Sequence, residues 1–358
     1  MIVLGCTGSI GVNTLYIAKK FNLDIEVLVA GNNIQKLNEQ LKEFNPKLVI
    51  IADEKRIKEV NHTNVKAGGD AIIEAIENSE SMIVVNALVG FVGLRPTLKA
   101  IECKKKIALA NKESLVVAGK FIDTTNITPI DSEHFALWYL LDKSKKIDSM
   151  TITASGGSFR DYPLDKLQNV TVKEALNHPN WSMGSKITID SATMTNKLFE
   201  LIEARWLFDT SKCDAIIETK SIIHGMINYT DGSTTAHLAG VSMQLPIGYA
   251  IMDSIEEEIL PKVDLLKVGN LEFREITTDR YPIWELKDDL MQNDNLGVVI
   301  NAANEIAVEA FLQGKISFLQ IANLSKKAIN HFHNTKLKQI DDIFSIDKEV
   351  RGFTKGLL

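Results

Sequence analysis

The chain constrains its own fold within its first 11 residues, where the apolar run Met1-Ile2-Val3-Leu4 passes directly into Gly5-Cys6-Thr7-Gly8-Ser9-Ile10-Gly11. A short buried strand, a glycine turn and a helix start, in that order, form the context of a dinucleotide fingerprint. Glycine lets the turn close and lets backbone N–H groups approach a pyrophosphate, which the helix N-terminus then favours electrostatically. The spacing is a variant, with glycines three apart throughout. The bland alternative is a tight glycine turn that holds no ligand.

The residues that follow keep the same rhythm. Ile2–Leu4, Ile25–Ala30, Leu48–Ala52, Ile83–Asn86 and Ile107–Ala110 read as strands buried on both faces, with amphipathic stretches such as Asn13–Phe21 and Ile34–Phe44 between them. Strand, helix, strand repetition predicts an α/β region with a Rossmann-like parallel sheet. Proteins that prefer NAD usually carry an acidic residue about 20 residues on, for the ribose hydroxyls. Here the second strand ends in Gly31-Asn32-Asn33, so no carboxylate repels a 2′-phosphate and NADP is permitted. No basic residue takes its place within that turn.

The middle third is rich in Ser, Thr and Gly, with short β runs (Met150–Thr153, Ala215–Glu218, Met226–Tyr229, Thr234–Leu238) and one strong helix near Met194–Phe208, an α+β pattern. Glu256 to Asp279 has no sustained period, and helical periodicity returns in Ala302–Leu312 and Phe318–Phe332. The expected segments are 1–131 for the nucleotide, 132–252 for catalysis with a lid near 177–186, a connector at 253–281, and a C-terminal helical domain at 282–358. A length of 358 residues, 45% of them apolar, suits such a multi-domain protein.

A net charge of −6 offers no footprint for nucleic acid. Cys6, Cys103 and Cys213 are too few and too scattered for a disulfide framework or a zinc site, and Cys6 reads as a small packing residue. The longest apolar stretch, Ile83 to Leu94, is too short for a membrane span, and Met1–Leu4 does not resemble a signal peptide. The expected setting is the reducing cytoplasm, with no membrane partner.

Two segments carry the chemistry. In Pro129-Ile130-Asp131-Ser132-Glu133-His134, an extended backbone would point Asp131 and Glu133 the same way. Two carboxylates that close need a compensating cation, and a hard ion such as Mg²⁺ or Mn²⁺ suits them. Alone, the segment also fits an exposed acidic turn. In Asp190–Glu200, helical spacing puts Thr193, Asn196, Lys197 and Glu200 on one stripe of a helix that is otherwise apolar nearly all round. Such a helix is buried, so Lys197 and Glu200 either pair with their neighbours or line a ligand site. Ala154-Ser155-Gly156-Gly157 offers a phosphate cradle, and Asn177–Gly184 has lid character.

Taken together, these stretches resemble the 1-deoxy-D-xylulose 5-phosphate reductoisomerase family over nearly the whole chain. The matching blocks are Gly5–Gly11, Leu109–Val116, Ile130–His134, Ala154–Arg160, Asn177–Gly184, Ile189–Phe208, Ser221–Met226 and Asn301–Phe311, in the family's order. The resemblance implies conversion of 1-deoxy-D-xylulose 5-phosphate to 2-C-methyl-D-erythritol 4-phosphate by retro-aldol and aldol steps followed by hydride transfer from NADPH. It implies a homodimer, and a divalent cation held by Asp131, Glu133 and Glu200. It further implies that Ser155, Ser191, Asn196 and Lys197 hold the phosphorylated deoxy-sugar. Ser132, Glu133, Glu200, Lys112 and His178 complete that site, and Trp181 and Met183 close the lid. Thr7, Gly8, Ser9, Ile10, Gly31, Asn32, Asn33, Asn111, Glu113 and Gly184 would bind NADPH. Glu133, Lys112 and His178 are the candidates for catalysis.

Two positions depart from the family pattern. Asn32 stands where many members carry Lys or Arg, and Gln244 stands where an Arg is common. A thioester-forming dehydrogenase is the nearest alternative, but Cys103 in Glu102-Cys103-Lys104-Lys105-Lys106, ahead of a strand, is a poor nucleophile site. A nucleotide-sensing regulator would need an added binding element that the sequence lacks.

Overall fold

The computed structural model describes residues 1–142, 144–252 and 254–358. These fall into two compact units. The first comprises Met1–Ser114, Asp123–Phe135 and Ser242–Pro261, and the second Leu115–Ile122, Ala136–Val241 and Lys262–Leu358.

The first unit is built on seven strands: β1 (Ile2–Leu4), β2 (Val27–Val29), β3 (Leu48–Ile51), β4 (Val65–Ala67), β5 (Ile83–Asn86), β6 (Lys106–Leu109) and β7 (Ile127–Pro129). Their order is β4-β3-β2-β1-β5-β6-β7, and every pairing is parallel. Strands covered on both faces must be apolar along their whole length. β1 and β2 are fully buried, as their uninterrupted Ile, Val and Leu require. On one face Leu15, Ala18, Ile34 and Leu37 from two crossover helices pack with Val3, Leu28, Val49 and Ile51. Further along that same face, Val85 and Ala108 stand in register with Val3, and with Ile17 and Ile130 they pack against Ile247, Ala250 and Ile251. Those last three lie on the helix Gln244–Ile251, so apolar burial draws residues 242–261 into this unit although the sequence pattern groups them mostly with 132–252.

Two strands, β4 and β7, were not expected. β4 has no buried residue, and β7 is only three residues long and ends in Pro129, so neither leaves an apolar run to read. The order reverses at β1, where β2 lies on one side and β5 on the other. A crevice opens at such a switch point beyond the carboxyl ends of the strands. The Gly5–Gly11 turn leaves β1 at that edge.

The second unit carries a mixed sheet of β8 (Ile147–Ala154), β9 (Cys213–Glu218), β10 (Ile223–Tyr229), β11 (Thr234–Leu238) and β12 (Phe273–Arg274), in the order β11-β10-β8-β9-β12. β8 and β9 are parallel, and the remaining pairs are antiparallel. The C-terminal stretch is helical as expected, with helices at Gly297–Leu312, Phe318–His331 and Ile340–Lys355. It nevertheless shares a core with the middle third, because Phe311, Phe318, Ile321 and Leu324 pack on Phe159, Leu167, Ile189 and Ala192. The connector begins at Asp253, outside the described residues; the rest of it holds only the short pieces Leu265–Val268 and Phe273–Arg274. Among the described residues, no helix is long and apolar enough to cross a membrane.

Candidate active site

Backbone geometry shapes the nucleotide turn of the first unit. Gly5 has φ +84°, and a Cβ there would lie 2.6 Å from the Ala87 carbonyl oxygen beyond β5. A Cβ on Gly11 would lie 2.3 Å from the Gly5 oxygen, so both positions exclude any side chain. The Gly5 and Cys6 amides donate to the Val29 oxygen at 2.8 and 2.9 Å, which ties the turn to the end of β2. Gly8 then precedes the helix Ser9–Lys20. Gly8 and Ser9 are exposed, Thr7 and Ile10 half-buried, and Gly31, Asn32 and Asn33 exposed across the crevice. Cys6 is buried in the core, and that burial pushes its thiol up to about 12, as a packing residue requires.

Asn33 already has a task, since its side chain caps the helix Ile34–Gln40 by accepting from the Lys36 amide at 3.0 Å. Asn111 and Glu113 stitch the loop after β6 to the loop after β5. Asn111 Nδ2 donates to the Leu88 and Gly90 oxygens at 2.8 and 2.9 Å, and Glu113 Oε1 accepts from the Gly90 amide at 3.2 Å. Gln244, the second departure, donates to Asn13 Oδ1 at 3.3 Å.

The acidic pair of this unit does not lie on extended backbone, as the sequence suggested. The strand ends at Pro129, and the helix Ser132–Leu140 begins immediately after Asp131. Asp131 acts as the helix cap, accepting from the Glu133 amide at 3.3 Å. A capping Asp and a Glu in the first turn both sit at the positive end of the helix, which favours their charge. Their carboxylate oxygens come within 4.8 Å of each other, as a shared cation requires. Ser132 Oγ donates to Glu133 at 2.5 Å. Burial opposes ionisation of Asp131, yet its ion pair with Lys112 and a contact with His134 hold the carboxyl well below the usual range.

In the second unit the helix expected near Met194–Phe208 is present as Thr195–Phe208, but the helical spacing does not run unbroken back to Asp190. Met194 adopts φ +73°, ending the helix Ser185–Thr193 and starting Thr195–Phe208. Thr193 therefore leaves the stripe, and Asn196, Lys197 and Glu200 remain together. Glu200 is 1% exposed and accepts from both Asn196 and Lys197, while Lys197 also donates to the Thr153 oxygen at 2.5 Å. A buried carboxylate is tolerable only with partners of this kind.

The Ser155 turn approaches from the end of β8. Gly157, at φ +68°, would place a Cβ 2.6 Å from Ala192 Cα, so only glycine lets this turn meet the helix Ser185–Thr193. His178 bridges the two serines, its Nε2 lying 2.9 Å from Ser155 Oγ and 3.2 Å from Ser191 Oγ. Its Nδ1 accepts the amides of Asn180 and Trp181 at 3.1 and 2.9 Å, which assigns the neutral ring's proton to Nε2. Burial, and then the charge of Arg160, lower its pKa to about 4. Trp181 and Met183 are half-buried and Gly184 is exposed, along a stretch without regular structure.

Sequence reasoning gave no role to Arg160, Asp190 or Asn304. Arg160 donates to the Ser155 and Thr219 oxygens, both at 2.8 Å, and so holds the turn in place. Asp190 is gripped by Lys186 at 2.8 Å and Asn304 at 2.7 Å. The only signal for this trio was its membership of the quoted blocks, because partners 114 residues apart share no local pattern.

A family model described as 1-deoxy-D-xylulose 5-phosphate reductoisomerase matches residues 1–119. Two models of C-terminal domains from the same family match residues 127–208 and 238–353. The chain is 58% identical to the 1-deoxy-D-xylulose 5-phosphate reductoisomerase of Nautilia profundicola, covering 99% of each chain. It is 51% identical to that of Campylobacter hominis, over 100% of this chain and 99% of the relative. Among solved structures, DOX-P reductoisomerase in complex with NADPH, fosmidomycin and magnesium has a TM-score of 0.93 at 34% identity, covering 99% of this chain and 97% of the other. The Zymomonas mobilis enzyme in complex with NADPH has a TM-score of 0.89 at 35% identity, covering 99% and 98%.

Proposed function

The chain belongs to the 1-deoxy-D-xylulose 5-phosphate reductoisomerase family, and from that premise we propose which of its residues carry the family's chemistry. The protein is an NADPH- and divalent-metal-dependent enzyme that converts 1-deoxy-D-xylulose 5-phosphate to 2-C-methyl-D-erythritol 4-phosphate, in the non-mevalonate route to isoprenoid precursors. Asp131, Glu133 and Glu200 are the ligands of its cation. The donor set fits: all three offer hard oxygens, and Asp131 and Glu200 are each already paired with an ammonium group. When bound, the cation supplies Lewis-acid polarisation of the substrate's oxygens, and NADPH supplies the hydride.

The chain's own groups bind, orient and move protons. Ser155 and Ser191, with the His178 Nε2–H between them, form a neutral donor cluster for phosphate oxygens, supported by Asn196 and Lys197. A ring kept neutral by burial retains one fixed proton to donate. Ser132 and Lys112 hold substrate hydroxyls, and Glu133 and Lys112 exchange protons with the reacting carbons. Trp181 and Met183, on the 177–186 segment, cover the bound sugar and exclude water. Thr7, Gly8, Ser9, Ile10, Gly31, Asn32, Asn33, Asn111, Glu113 and Gly184 contact NADPH.

The observation that carries this assignment is the Asp131–Glu133 pair at a helix start, two carboxylates within 4.8 Å of each other. The test is NADPH oxidation with the deoxyxylulose phosphate. Turnover must vanish with chelator and return with Mg²⁺ or Mn²⁺, whereas chelator-resistant turnover would overturn the metal assignment. The enzyme acts in the cytoplasm as a homodimer. Two buried free cysteines, Cys6 and Cys213, and the lack of an apolar span among the described helices support that setting. Exposed Trp138, Tyr139 and Leu141 offer an apolar patch to a second copy.

A further inference from the structure

The turn after β2, Gly31-Asn32-Asn33, has neither the acid of an NAD enzyme nor a basic residue of its own, yet it is not without charge. The neighbouring strand β3 is followed by the short 3₁₀ helix Glu54–Glu59, which runs beside that turn at the same edge of the sheet. From it Arg56 reaches across and donates from Nη1 to the Asn32 carbonyl oxygen at 2.7 Å. Glu59 fixes the other side of the guanidinium, accepting from Nε at 3.1 Å and from Nη2 at 2.7 Å.

We propose that Arg56 is the residue that recognises the 2′-phosphate of NADPH in this chain, replacing the cation missing at position 32. The proposal rests on the nucleotide reading of the first unit and names a specificity residue within it. A 2′-phosphate lies beside the turn that ends the second strand, and an arginine nearby is the usual means of accommodating it.

A guanidinium carries five N–H donors in a rigid fork. Here Nε, one N–H of Nη1 and one of Nη2 are engaged by Glu59 and Asn32, which leaves one N–H on each terminal nitrogen. Two N–H groups on neighbouring nitrogens match two phosphate oxygens. The side chain is half-buried, so the guanidinium remains accessible while its position is fixed. The carboxylates of Glu59 and the helix-capping Asp53 both act on the group electrostatically and temper its pull on an anion.

The test uses the full chain and titrates NADPH and NADH separately by nicotinamide fluorescence. Arg56→Gln is expected to weaken NADPH by about 10- to 100-fold, the loss of one charge-assisted contact, and to leave NADH within about twofold. Glu59→Gln removes the competing carboxylate and tightens NADPH alone. Arg56→Lys keeps the charge but not the fork, and falls between wild type and Arg56→Gln.

If Arg56→Gln weakened both cofactors equally, Arg56 would only be bracing the Asn32 turn, and the proposal would be overturned. Unchanged NADPH binding would overturn it as well. A wild-type protein that bound neither cofactor would instead refute the nucleotide reading itself.

Discussion

The two units prepare their ligand groups in opposite ways. In the first, the crevice is made by topology: parallel strands end at one edge, the order reverses at β1, and glycines let the turn after β1 close against neighbouring backbone. In the second, the cluster is made by side chains from separate places, namely Ser155 after β8, His178 on a loop, Ser191 on one helix and Lys197 and Glu200 on the next. A site made of backbone tolerates side-chain exchange and fails when a Cβ intrudes. A site made of side chains is vulnerable to the loss of a single hydrogen-bonding group.

The largest effect expected on that contrast is at Glu200. Glu200→Gln should lower NADPH-oxidation turnover by about 10³-fold or more, since it removes one of the three proposed hard ligands of the cation. NADPH affinity should stay at the wild-type level, because the nucleotide turn is built in the other unit. A variant retaining a tenth of its turnover would sink the ligand assignment.

A matched pair of glycine substitutions tests the contrast directly. Gly5→Ala and Gly157→Ala each force a side chain onto positive φ and against backbone 2.6 Å away. Each should cost about 2–4 kcal/mol, visible in thermal melts. Gly5→Ala should raise the NADPH Kd at least tenfold and spare substrate affinity, and Gly157→Ala should do the reverse. Equal damage to both affinities from either variant would break the comparison.

His178→Gln is a smaller change. It should raise KM for the sugar phosphate about tenfold, the loss of one buried hydrogen bond, while the NADPH Kd remains unchanged.

The smallest effect is on pH dependence. The folded pKa of His178, about 4, lies below its ordinary 6.5 because burial and then Arg160 disfavour the charged ring. Between those values the unfolded chain binds more protons than the folded one, so this contribution is complete above 6.5 and is lost as the pH falls to about 4. After solvent screening it amounts to about 1 kcal/mol. Melts at pH 7 and pH 5 should show a smaller decline for His178→Gln than for wild type; an identical decline would remove His178 from the account.

The legibility of the two units differed for the same reason that their construction does. Strands β1, β2, β3, β5 and β6 were readable because burial on both faces leaves an uninterrupted apolar run. β4 and β7 lacked that signature. The residues Asp131, Glu133, Lys197 and Glu200 were singled out by residue type and spacing, but two details of their local setting were not legible. The Asp131 segment proved to be a helix cap rather than extended chain, because a capping side chain bonded to a backbone amide two residues on is stronger than any strand tendency of so short a piece. The helix break at Met194 left no trace in the spacing, since a left-handed methionine is held by its surroundings and not by its own preference.

By itself, then, the sequence determined the parallel sheet, the glycine turn and the family's chemistry, because each is written in local patterns that repeat every two to four residues or in contiguous motifs. Only the tertiary structure decided that Arg56 lies against Asn32, that Asn304 grips Asp190 and that residues 242–261 belong with the first unit. These arrangements join groups 24, 114 and more than 200 residues apart. Contacts over such separations are set by how whole elements pack, and no window of sequence contains both partners.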